Sequence, residues 1–149
     1  MTPPTSLRVA VVVSRFNEEV TSRLLASCLK TFKDEGWASA NLRVVHVPGG
    51  YEIPWAVNEL ARGGRYAAVV TLGCVLKGQT PQNDHIARSL VQSLHRISVD
   101  TRVPVILGVL TPNTWKQAMA RTKGALDRGK EAALAALEMV ALREELRRG

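Results

Sequence analysis

The chain has 149 residues, 46% of them hydrophobic and 22% charged, with a formal net charge of +7. That length fits one domain able to bury roughly 70% of the surface its unfolded form exposes. The composition is that of an ordinary soluble globular protein, and no apolar run approaches the ~20 residues of a membrane span. The positive balance points to anionic ligands, but the basic residues are scattered and end in the mixed-charge tail Arg143-Glu144-Glu145-Leu146-Arg147-Arg148, which argues against nucleic acid. Arg62-Gly63-Gly64-Arg65 stands where a helix ends and reads as its cap. The start, Met1-Thr2-Pro3-Pro4-Thr5-Ser6, has no charged segment followed by an apolar core, so a cytoplasmic protein is expected.

In chain order, Arg8 to Val13 reads as a first strand buried on both faces of a parallel sheet. It ends at Ser14-Arg15-Phe16-Asn17, and Asn17 is expected to cap a first helix with Glu18 and Glu19 in its opening turn. The stripe Val20, Leu24, Leu25, Cys28, Leu29 and Phe32 marks the buried face, and the helix closes near Gly36. Leu42 to Val47 is a second strand running into Pro48-Gly49-Gly50-Tyr51-Glu52-Ile53-Pro54. Helix 2 then buries Ile53, Ala56, Val57 and Leu60 before Gly63-Gly64.

The third strand, Tyr66 to Leu72, leads through Gly73-Cys74-Val75-Leu76-Lys77-Gly78-Gln79 to Thr80-Pro81, a hydroxyl N-cap followed by proline at the first helical position. A helix start of this kind holds an anion on its free N–H groups and positive dipole end. The two glycines either let backbone approach such a ligand or merely turn the chain. Helix 3 buries Ile86, Leu90, Leu94 and Ile97 and ends near Thr101. The fourth strand is Val103 to Leu110, Thr111-Pro112-Asn113-Thr114 caps a short helix, and a basic loop from Arg121 to Gly129 enters a last helix with Ala133, Leu134, Leu137, Val140 and Ala141 on one face.

Strands alternating with helices predict an α/β three-layer sandwich: a doubly wound, flavodoxin-like sheet of four parallel strands with helices on both faces, in one domain preceded by a tail over 1–7. Function then belongs at the carboxyl ends of the strands. No metal is expected, because His46, His85 and His95 fall on three elements and neither Cys28 nor Cys74 has a partner at ligand spacing. A phosphate-grade helix start, the aromatic Phe16, the carboxylate Glu52 and the cations Lys77, Arg121, Lys123 and Arg128 suit a phosphorylated, ring-containing small molecule.

Five stretches together carry a resemblance: Arg15-Phe16-Asn17, Pro48 to Pro54, Gly73 to Thr80, Val103-Pro104-Val105-Ile106-Leu107-Gly108-Val109-Leu110-Thr111, and Ala135-Ala136-Leu137-Glu138-Met139. In order and spacing they resemble the lumazine synthase family of riboflavin biosynthesis, over nearly the whole chain. The resemblance implies condensation of ribitylaminouracil with dihydroxybutanone phosphate through imine formation, loss of inorganic phosphate, ring closure and dehydration, without a cofactor. It implies a homo-oligomer of pentamers, in some members sixty-subunit shells, with active sites between subunits. Phe16 matches the aromatic that stacks on the pyrimidine, beside Asn17. Gly50, Tyr51, Val75 and Leu76 match backbone groups that fix the ring and ribityl chain, and Glu52 the carboxylate on the ribityl hydroxyls. Gln79 and Thr80 match the phosphate site, joined by Arg121 of the neighbouring subunit. Arg128 aligns with a ring-contacting lysine, Lys123 is a second candidate in a loop one residue short, and Leu107 stands where a phenylalanine usually closes the pocket. The departure is Gln82, where the family places a proton-transferring histidine. Glutamine cannot titrate. His85, one turn on, and Lys77 complete the catalytic candidates, and a non-catalytic flavin- or lumazine-binding relative is the alternative.

Overall fold

All six residues of strand β1 (Val9–Ser14) are buried, as a central parallel strand covered on both faces requires. Val9, Val11 and Val13 point into one core and Ala10 and Val12 into the other, the period-two alternation of an extended chain. The computed structural model describes residues 6–78 and 80–149, so Pro3-Pro4 and Gln79 lie outside the described residues.

Strands β2 (Leu42–Val47), β3 (Ala68–Cys74) and β4 (Val105–Leu110) complete a parallel sheet in the order β2-β1-β3-β4. Val11 pairs with Val44 on one side and Val70 on the other. The hydroxyl of buried Thr71 ties β3 to β4, donating to Ile106 O at 2.7 Å and accepting from Gly108 N at 3.3 Å. Helices α1 (Glu18–Asp34), α4 (Trp115–Ala120) and α5 (Arg128–Arg147) cover one face, and α2 (Ile53–Arg62) and α3 (Gln82–Thr101) the other. This is the flavodoxin-like, doubly wound arrangement, and its chain reversal falls between β1 and β3, where such sheets place ligands.

The strands depart from the apolar runs by two residues. β3 begins at Ala68 and continues through Cys74, while β4 begins at Val105 because Pro104 has no N–H to donate. Pro104 contributes its carbonyl instead, to Val69 N at 2.9 Å.

Helix α1 buries Val20, Leu24, Cys28 and Phe32 as the stripe predicts, and Trp37 meets Phe32 edge-on with ring centroids 5.8 Å apart. Helix α5 corrects the expected stripe. Gly129, Ala132, Ala133, Ala136 and Val140 are its buried residues, whereas Leu134 is exposed. The reason is close packing on α1: a Cβ at Gly129 would lie 2.3 Å from the carbonyl oxygen of Leu24, so a seam of small residues, not leucines, fits there.

Two caps also differ. Helix α3 starts at Gln82 with Pro81 just outside it and no side-chain cap on that residue, so Pro81 is one place earlier than N1 and Thr80 is an exposed loop residue. Asp127, not singled out in the sequence, caps α5 by accepting from Gly129 N at 3.0 Å and Lys130 N at 3.1 Å. Thr114 caps α4 as expected, accepting from Gln117 N at 3.1 Å.

Candidate functional site

Three loops meet at the carboxyl edge of the sheet. Arg15 N donates to Val47 O and Phe16 N to Pro48 O, each at 2.9 Å, which lays the exit of β1 along the exit of β2. Phe16 is left 69% exposed. Asn17 adopts the left-handed conformation (φ 60°, ψ 49°) and makes no side-chain cap, so the capping role expected of it is replaced. Its Nδ2 crosses to donate to Cys74 O at 2.8 Å, stitching the Phe16 loop to the end of β3. A non-glycine residue at positive φ is held there by its surroundings, and such residues concentrate at functional sites.

In the β2 exit, Glu52 Oε1 accepts from Gly49 N at 3.0 Å while Glu52 N donates to Gly49 O at 3.2 Å. The half-buried carboxylate thus braces its own loop. Gly50 is held close under β3's exit, since a Cβ there would lie 3.1 Å from Val75 Cγ2. Tyr51 stands 73% exposed beside it.

Beyond β3, Val75 N donates to Leu110 O at 2.8 Å and Lys77 N to Pro112 O at 3.0 Å, which prolongs the β3–β4 ladder into the loops. Asn83 Nδ2 donates to Leu76 O from the first turn of α3. Lys77, Thr80, Gln82 and His85 all stand at this end of the helix, and all four are exposed. Cys74 is buried and its thiol is pushed up to about 11 by burial, so it is an inert end to the strand.

A second group lies beyond Leu110–Pro112. Arg121 Nη1 donates to Gln117 O at 2.9 Å, and Arg128 N donates to Arg121 O at 2.9 Å, bringing the two guanidinium-bearing residues to one cavity of about 340 Å³ with Thr111, Asn113 and Gln117. Arg128 Nε is 3.7 Å from Glu131 Oε2, an exposed pair that leaves its charge available to a ligand. Leu107 is 51% exposed on β4 and lines an adjoining cleft with Arg128. Lys123 is exposed on the loop between them. Among the described residues, no group of three or more His, Cys, Asp or Glu is placed to hold a metal ion, and no helix is long and apolar enough to cross a membrane.

The model of the 6,7-dimethyl-8-ribityllumazine synthase family matches residues 6–144. A 6,7-dimethyl-8-ribityllumazine synthase of Salinibacter ruber (strain DSM 13855 / M31) is 45% identical over 140 residues, which cover 93% of this chain and 90% of the relative. This chain belongs to the lumazine synthase family. Similar solved structures include a de novo designed Rossmann fold protein (TM-score 0.40, 17% identity, 76% of this chain and 92% of that one) and ribose-5-phosphate isomerase B from Giardia lamblia (TM-score 0.36, 14% identity, 93% and 96%). Likeness at those scores carries no argument, and the fold rests on the strand order.

Against the lumazine synthase pattern, the structure gathers the expected residues into two groups. Phe16, Asn17, Gly50, Glu52, Val75 and Leu76 are joined by the contacts above, with Tyr51, Lys77, Thr80, Gln82 and His85 at their margin. Leu107, Arg121 and Arg128 form the other group, with Lys123 at its rim. Gln79 lies outside the described residues. Sequence reasoning passed over Asn83 and Gln117. The Asn83 amide donates to the Leu76 carbonyl, Gln117 Oε1 accepts from Asn113 N while its backbone carbonyl accepts from Arg121, and a lone amide side chain carries no spacing signal for such contacts.

Proposed function

We propose that the chain is a working 6,7-dimethyl-8-ribityllumazine synthase that condenses 5-amino-6-ribitylaminouracil with dihydroxybutanone phosphate in the cytoplasm. The observation that carries this is the family match over residues 6–144, on a chain whose loops present a ring-sized apolar face and a basic cavity at the carboxyl edge of the sheet. In this reading the active site closes between two copies. One supplies Phe16 to stack on the pyrimidine, Asn17, Gly50, Tyr51, Val75 and Leu76 to fix the ring and ribityl chain, Glu52 to hold ribityl hydroxyls, and Gln79 and Thr80 at the start of α3 for the phosphate. The next supplies Leu107 as the pocket wall and Arg121, Lys123 and Arg128 as cations. Large exposed side chains, Trp55 at 72% among them, support a partner copy.

The reaction begins when the amine of the uracil attacks the ketone and an imine forms with release of water. Elimination then expels phosphate, whose developing charge is met by Arg121 and by the amino end of α3. Attack of the ribitylamino nitrogen closes the ring, and loss of a second water completes the lumazine. Positioning two reactants supplies roughly 7–11 kcal/mol, whereas general acid–base help is worth about 10²–10⁴-fold. Gln82, which cannot titrate, therefore costs rate more than it costs the reaction.

That same glutamine favours one other reading, a flavin- or lumazine-binding protein that kept the pocket and lost the chemistry. Mixing the purified protein with both substrates and following lumazine absorbance decides: product above the uncatalysed rate supports the enzyme, while binding without turnover supports the alternative.

A further inference from the structure

The segment leaving β3 is gripped from both sides. On one side, Val75 and Lys77 give their N–H groups to Leu110 O and Pro112 O at 2.8 and 3.0 Å. Alternation along an extended chain turns the groups of Cys74 and Leu76 the other way, and there both carbonyls are taken by side-chain amides. Asn17 Nδ2 donates to Cys74 O at 2.8 Å, and Asn83 Nδ2 donates to Leu76 O. The Leu76 N–H lies between those two occupied carbonyls, on the side from which the Phe16 loop approaches. The loop has closed down on the Asn83 amide, since a Cβ at Gly78 would lie 3.2 Å from its Nδ2. Pro81 offers α3 no side-chain cap, so the tie from Asn83 is a bond between the helix's first turn and the strand exit.

We propose that Asn83 is a positioning residue for the pyrimidine substrate: by holding the Leu76 carbonyl it fixes the Val75–Leu76 segment so that the Leu76 N–H is presented to a ring lying on Phe16. The inference rests on the reading of this pocket as the ribitylaminouracil site. An amide suits the task because it donates without bringing a charge, whereas a carboxylate of the same shape would set acceptor against acceptor. Asn83 touches no reacting atom and acts through Leu76.

Asn83→Asp removes the donor and keeps the shape, and Asn83→Gln keeps an amide. Ribitylaminouracil affinity is measured by calorimetry, KM for each substrate by steady-state kinetics, and exchange of the Val75–Lys77 backbone amides by mass spectrometry without substrate. Losing one neutral hydrogen bond is worth about fivefold in an equilibrium. Asn83→Asp is expected to weaken the pyrimidine about five- to tenfold and raise its KM alone, with the KM for the butanone phosphate unchanged, with faster exchange in the segment and with recovery in Asn83→Gln. Equal pyrimidine affinity in wild type and Asn83→Asp overturns the proposal while leaving the functional reading intact. So does a rise in both KM values with a lowered Tm, the mark of general loosening. A wild-type protein that binds no ribitylaminouracil overturns the functional reading itself and the proposal with it.

Discussion

Phe16 presents a ring face at the carboxyl edge of the sheet with most of its surface in water, and its backbone is pinned by Pro48 and, through Asn17, by Cys74. A preorganised ring loses little entropy when a heteroaromatic stacks on it. Stacking of a base on an aromatic side chain is worth about 1–3 kcal/mol, so Phe16→Ala is expected to weaken ribitylaminouracil roughly ten- to hundredfold while the Tm is unchanged. Calorimetry showing equal affinity removes Phe16 from the site. Gln82 and His85 sit three residues apart in the opening turns of α3, on one face of the helix. Since one turn displaces the group by ~5 Å, the proposed proton transfer from His85 would need a bridging water. His85→Ala is expected to slow turnover about tenfold or more and to remove a limb from the pH–rate profile, and Gln82→His to accelerate it. An unchanged profile in His85→Ala strikes His85 from the catalytic residues and leaves the site working by orientation.

Helix α5 lies on α1 through a seam of small residues, and its first turn is the tightest point. Because the atom met there is backbone, the helix itself has to move: Gly129→Ala is expected to cost about 1–3 kcal/mol and to lower the Tm by about 2–4 °C for each kcal/mol. A Tm within about 1 °C of wild type would show that α5 slides freely, against this packing. The same interface buries Cys28, whose thiol is raised from 9.0 to about 12 by burial and then by the charge of Asp127. With Cys74 raised to about 11, the folded state holds protons that the unfolded chain releases. Stability is therefore whole below pH 9 and falls as pH rises toward 11–12. Chemical denaturation across that window should show the decline, and Cys28→Ala should flatten part of it; an equal slope in the variant would assign the loss to other groups.

For the whole molecule, Tyr51, Trp55, Leu107 and Trp115 are more exposed than a finished surface of this kind favours, and both residue groups of the site stand open. In the proposed assembly, burial against neighbouring copies would cover such surface and join the groups. We expect a pentamer of 16.3 kDa chains, and not a closed shell: the family resemblance implies that shells exchange an N-terminal strand, and Pro3-Pro4, outside the described residues, lacks two N–H donors for that pairing. Sedimentation velocity checks it: a particle of about sixty chains would refute the pentamer.

Features that depend on local pattern were legible in the amino-acid order alone. Unbroken apolar runs such as Val9 to Val13 in β1, and Ala68 to Leu72 in β3 with Thr71 its one polar residue, are the mark of central strands. The α1 stripe names its own buried face, and the parallel order places the loops carrying Phe16, Glu52 and Leu76 at the carboxyl edge of the sheet. Tertiary structure decided what depends on a partner far along the chain. Asn17 caps nothing because Cys74 O is a better partner brought to it by β3, α5 turns alanines inward because α1 comes too close for Leu134, and Asn83 matters only because the β3 exit folds back onto its helix. Periodicity records how a residue faces its own element, whereas these contacts exist only once two elements have met.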